Sequence, residues 1–199
     1  MMKRRDFITL LGGAAVWPVA ALAQQPERMR RIGVLVNLAA DDPESTRRVV
    51  ALGQGLQERG WIIDRNVRID YRYGAGDAER IRKYAAELVA LAPDVIITNG
   101  GSTVGAFQQA TRTVPIVFVN VTDPVGGGYV ASLARPGGNA TGFTLFEYGT
   151  SGKWLELLKQ IAPRVTRVAV MRDPSQTSGP AMLAAIQAVA PDMIAAGKG

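Results

Sequence analysis

The tetrad Gly100-Gly101-Ser102-Thr103 lies between the apolar run Val95-Ile96-Ile97-Thr98 and a helical stripe of Val104, Phe107 and Thr111. Free backbone N–H groups at the start of a helix attract carboxylates and phosphates, because the helix dipole places partial positive charge there. Ser102 or Thr103 can cap that helix and also lend a hydroxyl to a ligand. An ordinary capped strand-to-helix loop uses the same four residues, so the tetrad alone leaves both readings open. Thr122-Asp123-Pro124 is a second candidate. Asp123 can face an ammonium group, and it can equally be the turn aspartate that Asp-Pro pairs supply before a helix. Gly126-Gly127-Gly128 and Pro136-Gly137-Gly138 fit tight turns better than binding loops.

Several chemistries are excluded outright. The chain has 199 residues, with no cysteine and no histidine. A disulfide framework, a Cys/His zinc site and a Ser-His-Asp triad are therefore impossible. The tetrad is not G-x-G-x-x-G, and no G-x-x-x-x-G-K-[ST] occurs, so dinucleotide and nucleoside triphosphate binding lack support. Asp41 and Asp42 are the only paired carboxylates in the candidate loops. No catalytic residue, metal or cofactor is assigned. Lys plus Arg number 23 and Asp plus Glu 17, for a net charge of +6. The basic residues are scattered apart from Arg28, Arg30 and Arg31, which read as a solvated lead-in, so no nucleic-acid partner is expected.

Part of that charge belongs to a leader. Lys3, Arg4, Arg5 and Asp6 precede an apolar stretch of 17 residues, Phe7 to Ala23, broken by Gly12, Gly13 and Pro18. A spanning helix needs about 20 unbroken apolar residues. A basic start, a short apolar core and the small-x-small ending Ala21-Leu22-Ala23 fit a secretory signal over residues 1–23, cleaved after Ala23. The run Arg4-Arg5-Asp6-Phe7-Ile8 is like a twin-arginine address. The expected location is the bacterial periplasm.

The rest reads as strands alternating with helices. Ile32 to Val36 is nearly all apolar, as suits a strand buried on both faces of a parallel sheet. Val49, Leu52 and Leu56 recur at helical spacing up to Gly60, where a helix end favours glycine. Val67, Ile69, Tyr71 and Tyr73 alternate with Arg68, Asp70 and Arg72, the mark of a half-exposed edge strand. Ile81, Tyr84, Ala85, Leu88 and Val89 form the next helical stripe. Further strands are expected at Val95 to Thr98, Val114 to Val121, Ala140 to Phe143 and Val165 to Met171. Further helices are expected after Ser102, around Lys153 to Ile161, and over Met182 to Val189. Such βα alternation predicts an α/β fold with a parallel sheet and right-handed crossovers. Ligands in such sheets bind beyond the carboxyl ends of the strands. That rule selects the loops Asn37 to Ala40, Asn99 to Thr103, Thr122 to Pro124, Thr144 to Glu147 and Asp173 to Ser175, and within them the candidate ligand-binding residues Asn37, Gly101, Ser102, Thr103, Thr122, Asp123, Asp173 and Ser175.

The order of these loops resembles the bacterial ABC-transporter substrate-binding proteins, the group that includes aromatic amino-acid receptors. The residues that carry it are Gly53-x-Gly55-Leu56-x-x-x-Gly60, Asn66-Val67, Gly76-Asp77, Pro93-Asp94-Val95-Ile96, Pro115-Ile116-Val117-Phe118 and Val121-Thr122-Asp123-Pro124-Val125. The stretch Leu133-x-x-Pro136-Gly137-Gly138-Asn139-x-Thr141-Gly142 is the most specific, and Asp173-Pro174-Ser175 matches an Asn-Pro-Ser-like turn with Asp for Asn. The resemblance implies a type I periplasmic-binding fold, with a first lobe over residues 24–145. Residues 146–199 would hold the interlobe crossing and the start of an incomplete second lobe. It also implies a small-molecule ligand in the cleft between lobes, held by a carboxylate site at Ser102 and Thr103, polar contacts from Thr122 and Asp123, and Asp173 and Ser175 from the second lobe. The expected partner is an inner-membrane ABC permease, and the receptor itself is expected to be a monomer without catalysis. A periplasmic sensory module or a small-molecule enzyme are the rival readings.

Overall fold

The computed structural model describes residues 28–147, 149–171 and 179–195. Five strands form one sheet: β1 (Arg30–Val36), β2 (Val67–Tyr73), β3 (Val95–Asn99), β4 (Ile116–Val121) and β5 (Ala140–Thr144). Every pairing is parallel, in the order β2-β1-β3-β4-β5. The helices are α1 (Pro43–Glu58), α2 (Ala78–Ala90), α3 (Gly101–Ala110), α4 (Thr150–Ile161) and α5 (Gly179–Ala195).

The burial pattern follows the strand chemistry. β1 lies inside the sheet and buries every residue from Ile32 to Val36. β2, with its alternating charges, is an edge strand and keeps only Val67 fully buried. The two sheet faces carry separate cores. On one, Ile32, Val34, Val36 and Val67 meet Val49, Leu52 and Leu56 of α1. On the other, Leu35, Ile96, Ile116 and Phe118 meet Ile81, Ala85 and Leu88 of α2 and Val104 and Phe107 of α3. Phe107 is completely buried, and full burial of such a side chain is worth about 1.5–3 kcal/mol. At β5, Gly142 is required by close approach, because a Cβ there would overlap the Phe118 carbonyl oxygen.

Charged pairs fasten the amino ends of the strands. Arg31 Nε donates to Asp70 at 2.6 Å, and its side chain also reaches the Leu91 carbonyl at 3.0 Å. The Arg31 backbone N–H donates to Asp94 at 2.8 Å. The Arg31 side chain holds the Asp70 carboxyl below the usual range, and the Arg31 N–H does the same for Asp94.

Beyond β5 the chain forms a helical pair. Ser151 Oγ of α4 donates to the Met182 carbonyl of α5 at 3.0 Å, and Gly152 lets Val189 approach. Phe146 and Trp154 meet edge to face, 5.6 Å between ring centres. The strand expected at Val165 to Met171 does not form: these residues pair with no strand among the described residues, and Val168, Val170 and Met171 are exposed. The alternation of a strand is present, but a strand exists only where a neighbour takes its backbone hydrogen bonds.

Candidate functional site

The strand order reverses between β1 and β3. Chain order runs outward from β1 to β2 in one direction and from β3 to β5 in the other. The connections leaving β1 and β3 therefore go to opposite faces, α1 to one and α3 to the other. A crevice at the carboxyl ends of the strands follows from that divergence. Asn37 and Asn99 stand on its two banks and are joined: the Asn37 backbone N–H donates to Asn99 Oδ1 at 2.9 Å. The Asn37 side-chain oxygen is buried with no partner. An unpaired buried acceptor is costly, and a ligand N–H or O–H in the crevice would satisfy it.

The first turn of α3 opens on the same crevice. Its N-cap is Gly100, at φ +83°, and no side chain caps it. Nearly all side chains are strained at that φ, so glycine is needed for the chain to turn here. The expectation that Ser102 or Thr103 caps α3 is corrected: both lie inside the helix, past the cap position. Thr103 is fully buried, and its hydroxyl lies 2.7 Å from the Asn99 carbonyl and 2.8 Å from that of Gly100. It fastens the helix to the end of β3. Gly101 is buried and Ser102 half-buried. Among the described residues nothing accepts the first-turn N–H groups of Gly101, Ser102 and Thr103, which is the arrangement that receives an anion.

Thr122 and Asp123 follow β4 and are half-buried. Asp123 has φ +47°, and its Oδ1 accepts the Gly126 N–H at 2.8 Å. It is thus a turn aspartate. Its second oxygen has no hydrogen bond among the described residues. Asp173 and Ser175 lie outside the described residues, as does the leader of residues 1–23. A cavity of about 290 Å³ runs from these strand ends along the α1 face. Val36, Val49, Leu52, Ile97 and Val119 give it apolar walls, and Arg48, Asn99 and Asn120 give it polar groups.

A family model of ABC transporter substrate binding proteins matches residues 31–193. The chain belongs to that family. The chain is 30% identical over 125 residues to the tyrosine-binding protein of Clostridioides difficile (strain R20291), a match over 63% of this chain and 36% of the relative. It superposes on a conserved domain protein from Vibrio cholerae with a TM-score of 0.75 at 28% identity, covering 84% of this chain and 55% of that one. It superposes on an ABC domain in complex with L-Trp from Streptococcus pneumonia with a TM-score of 0.73 at 26% identity, covering 82% and 54%. The chain thus spans about a third of the curated relative and about half of these solved structures. No helix among the described residues is long and apolar enough to cross a membrane.

Sequence reasoning named Asn37, Gly101, Ser102, Thr103, Thr122 and Asp123, and the fold gathers them at the ends of β1, β3 and β4. It placed Asn99 in the candidate loop after β3 without singling it out, and the structure shows it tying the two banks together. It missed Asn120, which lies inside the expected strand Val114 to Val121, where only its polarity in an apolar run marked it.

Proposed function

We propose that the protein is an exported solute receptor for ABC import, and that the crevice at the ends of β1, β3 and β4 is the first-lobe half of its ligand site. The observation that carries this is the uncapped start of α3 at the switch point of the sheet. The N–H groups of Gly101, Ser102 and Thr103 would hold a solute carboxylate, and the Ser102 hydroxyl would add a donor. Asn37, Thr122 and the free oxygen of Asp123 would take its amino or hydroxyl groups. Thr103 serves by position, holding the turn.

In this reading residues 24–145 are the first lobe, and residues 146–199 are the crossing and the start of the second, which brings Asp173 and Ser175. Residues 1–23 act as the export signal and place the receptor in the periplasm. Closure of the second lobe is driven because the closed form binds the solute better than the open one. An inner-membrane permease recognises that closed form; the receptor works as a monomer and catalyses nothing. Binding of tyrosine and tryptophan by relatives supports an amino acid or a related carboxylate as the solute.

The test is a thermal-shift and calorimetric screen with amino acids and organic acids. A rise in melting temperature with at least one solute is expected. Replacing Ser102 and Thr103 together by alanine should weaken that solute at least tenfold. A folded sample that no solute stabilises would overturn the receptor reading. Unchanged affinity in the double variant would remove the Ser102 and Thr103 hydroxyls from the α3 anion site.

A further inference from the structure

β4 does not run straight into the crevice. It pairs with β5 at Ile116, Val117 and Phe118 and again at Val121, and the register slips between Phe118 and Val121. Asn120 falls in that slip. A bulge of this kind re-aims a side chain out of the ladder, and bulges concentrate beside functional sites. Asn120 also has φ +55°, in the left-handed region that L residues avoid. Asp123, three residues on, has φ +47°. Two such residues bracket Val121 and Thr122 where β4 enters the crevice.

Strain of this kind persists only where the surroundings impose it, and it collects at ligand sites. Asp64, Ala75 and Ala92 also have positive φ. Each of these sits in a turn and gives its N–H to a nearby carbonyl, of Val67, Leu38 and Val89 respectively. Asn120 differs in its side chain. It is exposed, lines the cavity together with Asn99, and its carboxamide has no hydrogen bond among the described residues. Glycine would fit this backbone at lower cost, as it does at Gly100. Asparagine is the residue that tolerates the conformation and still presents a donor and an acceptor.

We propose that Asn120 is a further ligand-recognition residue, its carboxamide reading the polar groups of the captured solute and so helping to set specificity. This inference rests on the receptor reading above. The experiment measures melting temperature and affinity for L-tyrosine and L-tryptophan in the full chain and in Asn120→Gly and Asn120→Asp. The expected result for Asn120→Gly is an equal or higher melting temperature with at least tenfold weaker binding. A residue kept for structure alone would not separate these two readouts. Asn120→Asp keeps the left-handed tolerance and loses the donor, so it should melt like the parent and change affinity at least fivefold. Binding by the parent with both variants within twofold of it would overturn the role of Asn120 and leave the receptor reading standing. A folded parent that binds neither amino acid would overturn both.

Discussion

The junctions that follow β1, β2 and β3 are built from one plan with two outcomes. After β1, Asp42 Oδ1 accepts the Glu44 N–H at 2.7 Å and closes the start of α1. After β2, Asp77 Oδ1 accepts the Arg80 N–H at 2.8 Å and closes the start of α2. After β3 there is no such aspartate; Gly100 stands at the cap and the first turn of α3 stays open. The closed helices each give a first-turn donor to their own aspartate. The open one keeps its donors for something else, and it is the one at the switch point. With glycine at the cap, an open helix start forgoes only about a few tenths of a kcal/mol of capping. α3 makes up that loss with the fully buried Val104 and Phe107.

The largest way to break the contrast is to remove that anchor. Phe107→Ala should destabilise the fold by about 3–5 kcal/mol, read by urea denaturation. A loss below that range would mean that α3 is held by other contacts. The next is Gly100→Ala. At φ +83° a Cβ is strained, so a loss of about 1–3 kcal/mol is expected, together with weaker solute binding. Equal stability would show that the turn relaxes and that its shape is not imposed.

The smallest is Asp77→Ala, which should lower the melting temperature slightly and change solute affinity less than Gly100→Ala does, because the donor that Asp77 takes, the Arg80 N–H, belongs to a closed helix start. This cap also predicts a pH effect. The Arg80 N–H holds the Asp77 carboxyl below its usual range, and Asp70 and Asp94 are lowered by Arg31. A lowered carboxyl favours the ionised, folded form. Its contribution is complete above the unfolded value of about 4 and is lost as pH falls through the lower folded value. The melting temperature should therefore drop below about pH 4, and less steeply in Asp77→Ala. A parallel drop in both would remove Asp77 from the account.

Much of this was legible along the chain. The apolar run at Ile32 to Val36 announced an inner strand, and the Arg68-Asp70-Arg72 alternation announced an edge, because burial on two faces or one leaves a local pattern. The loops after β1, β3 and β4 could be picked out as site candidates because a parallel sheet presents the ends of its strands. The same local logic failed at Val165 to Met171, where alternation met no neighbouring strand. It also failed at Ser102 and Thr103, where a two- or three-residue shift in the helix start turned expected caps into first-turn residues.

The amino-acid sequence by itself determined the βα alternation, the exclusion of histidine, cysteine and nucleotide-loop chemistry, and the residues available at each strand end. These depend on residue type and on spacing within one element. Tertiary structure alone decided that Asn37 bonds Asn99 across 62 positions, that the open helix start lies at the reversal of strand order, and that Asn120 sits in a bulge. Each of these depends on which strands become neighbours, and pairing between distant segments leaves no periodic trace in either of them.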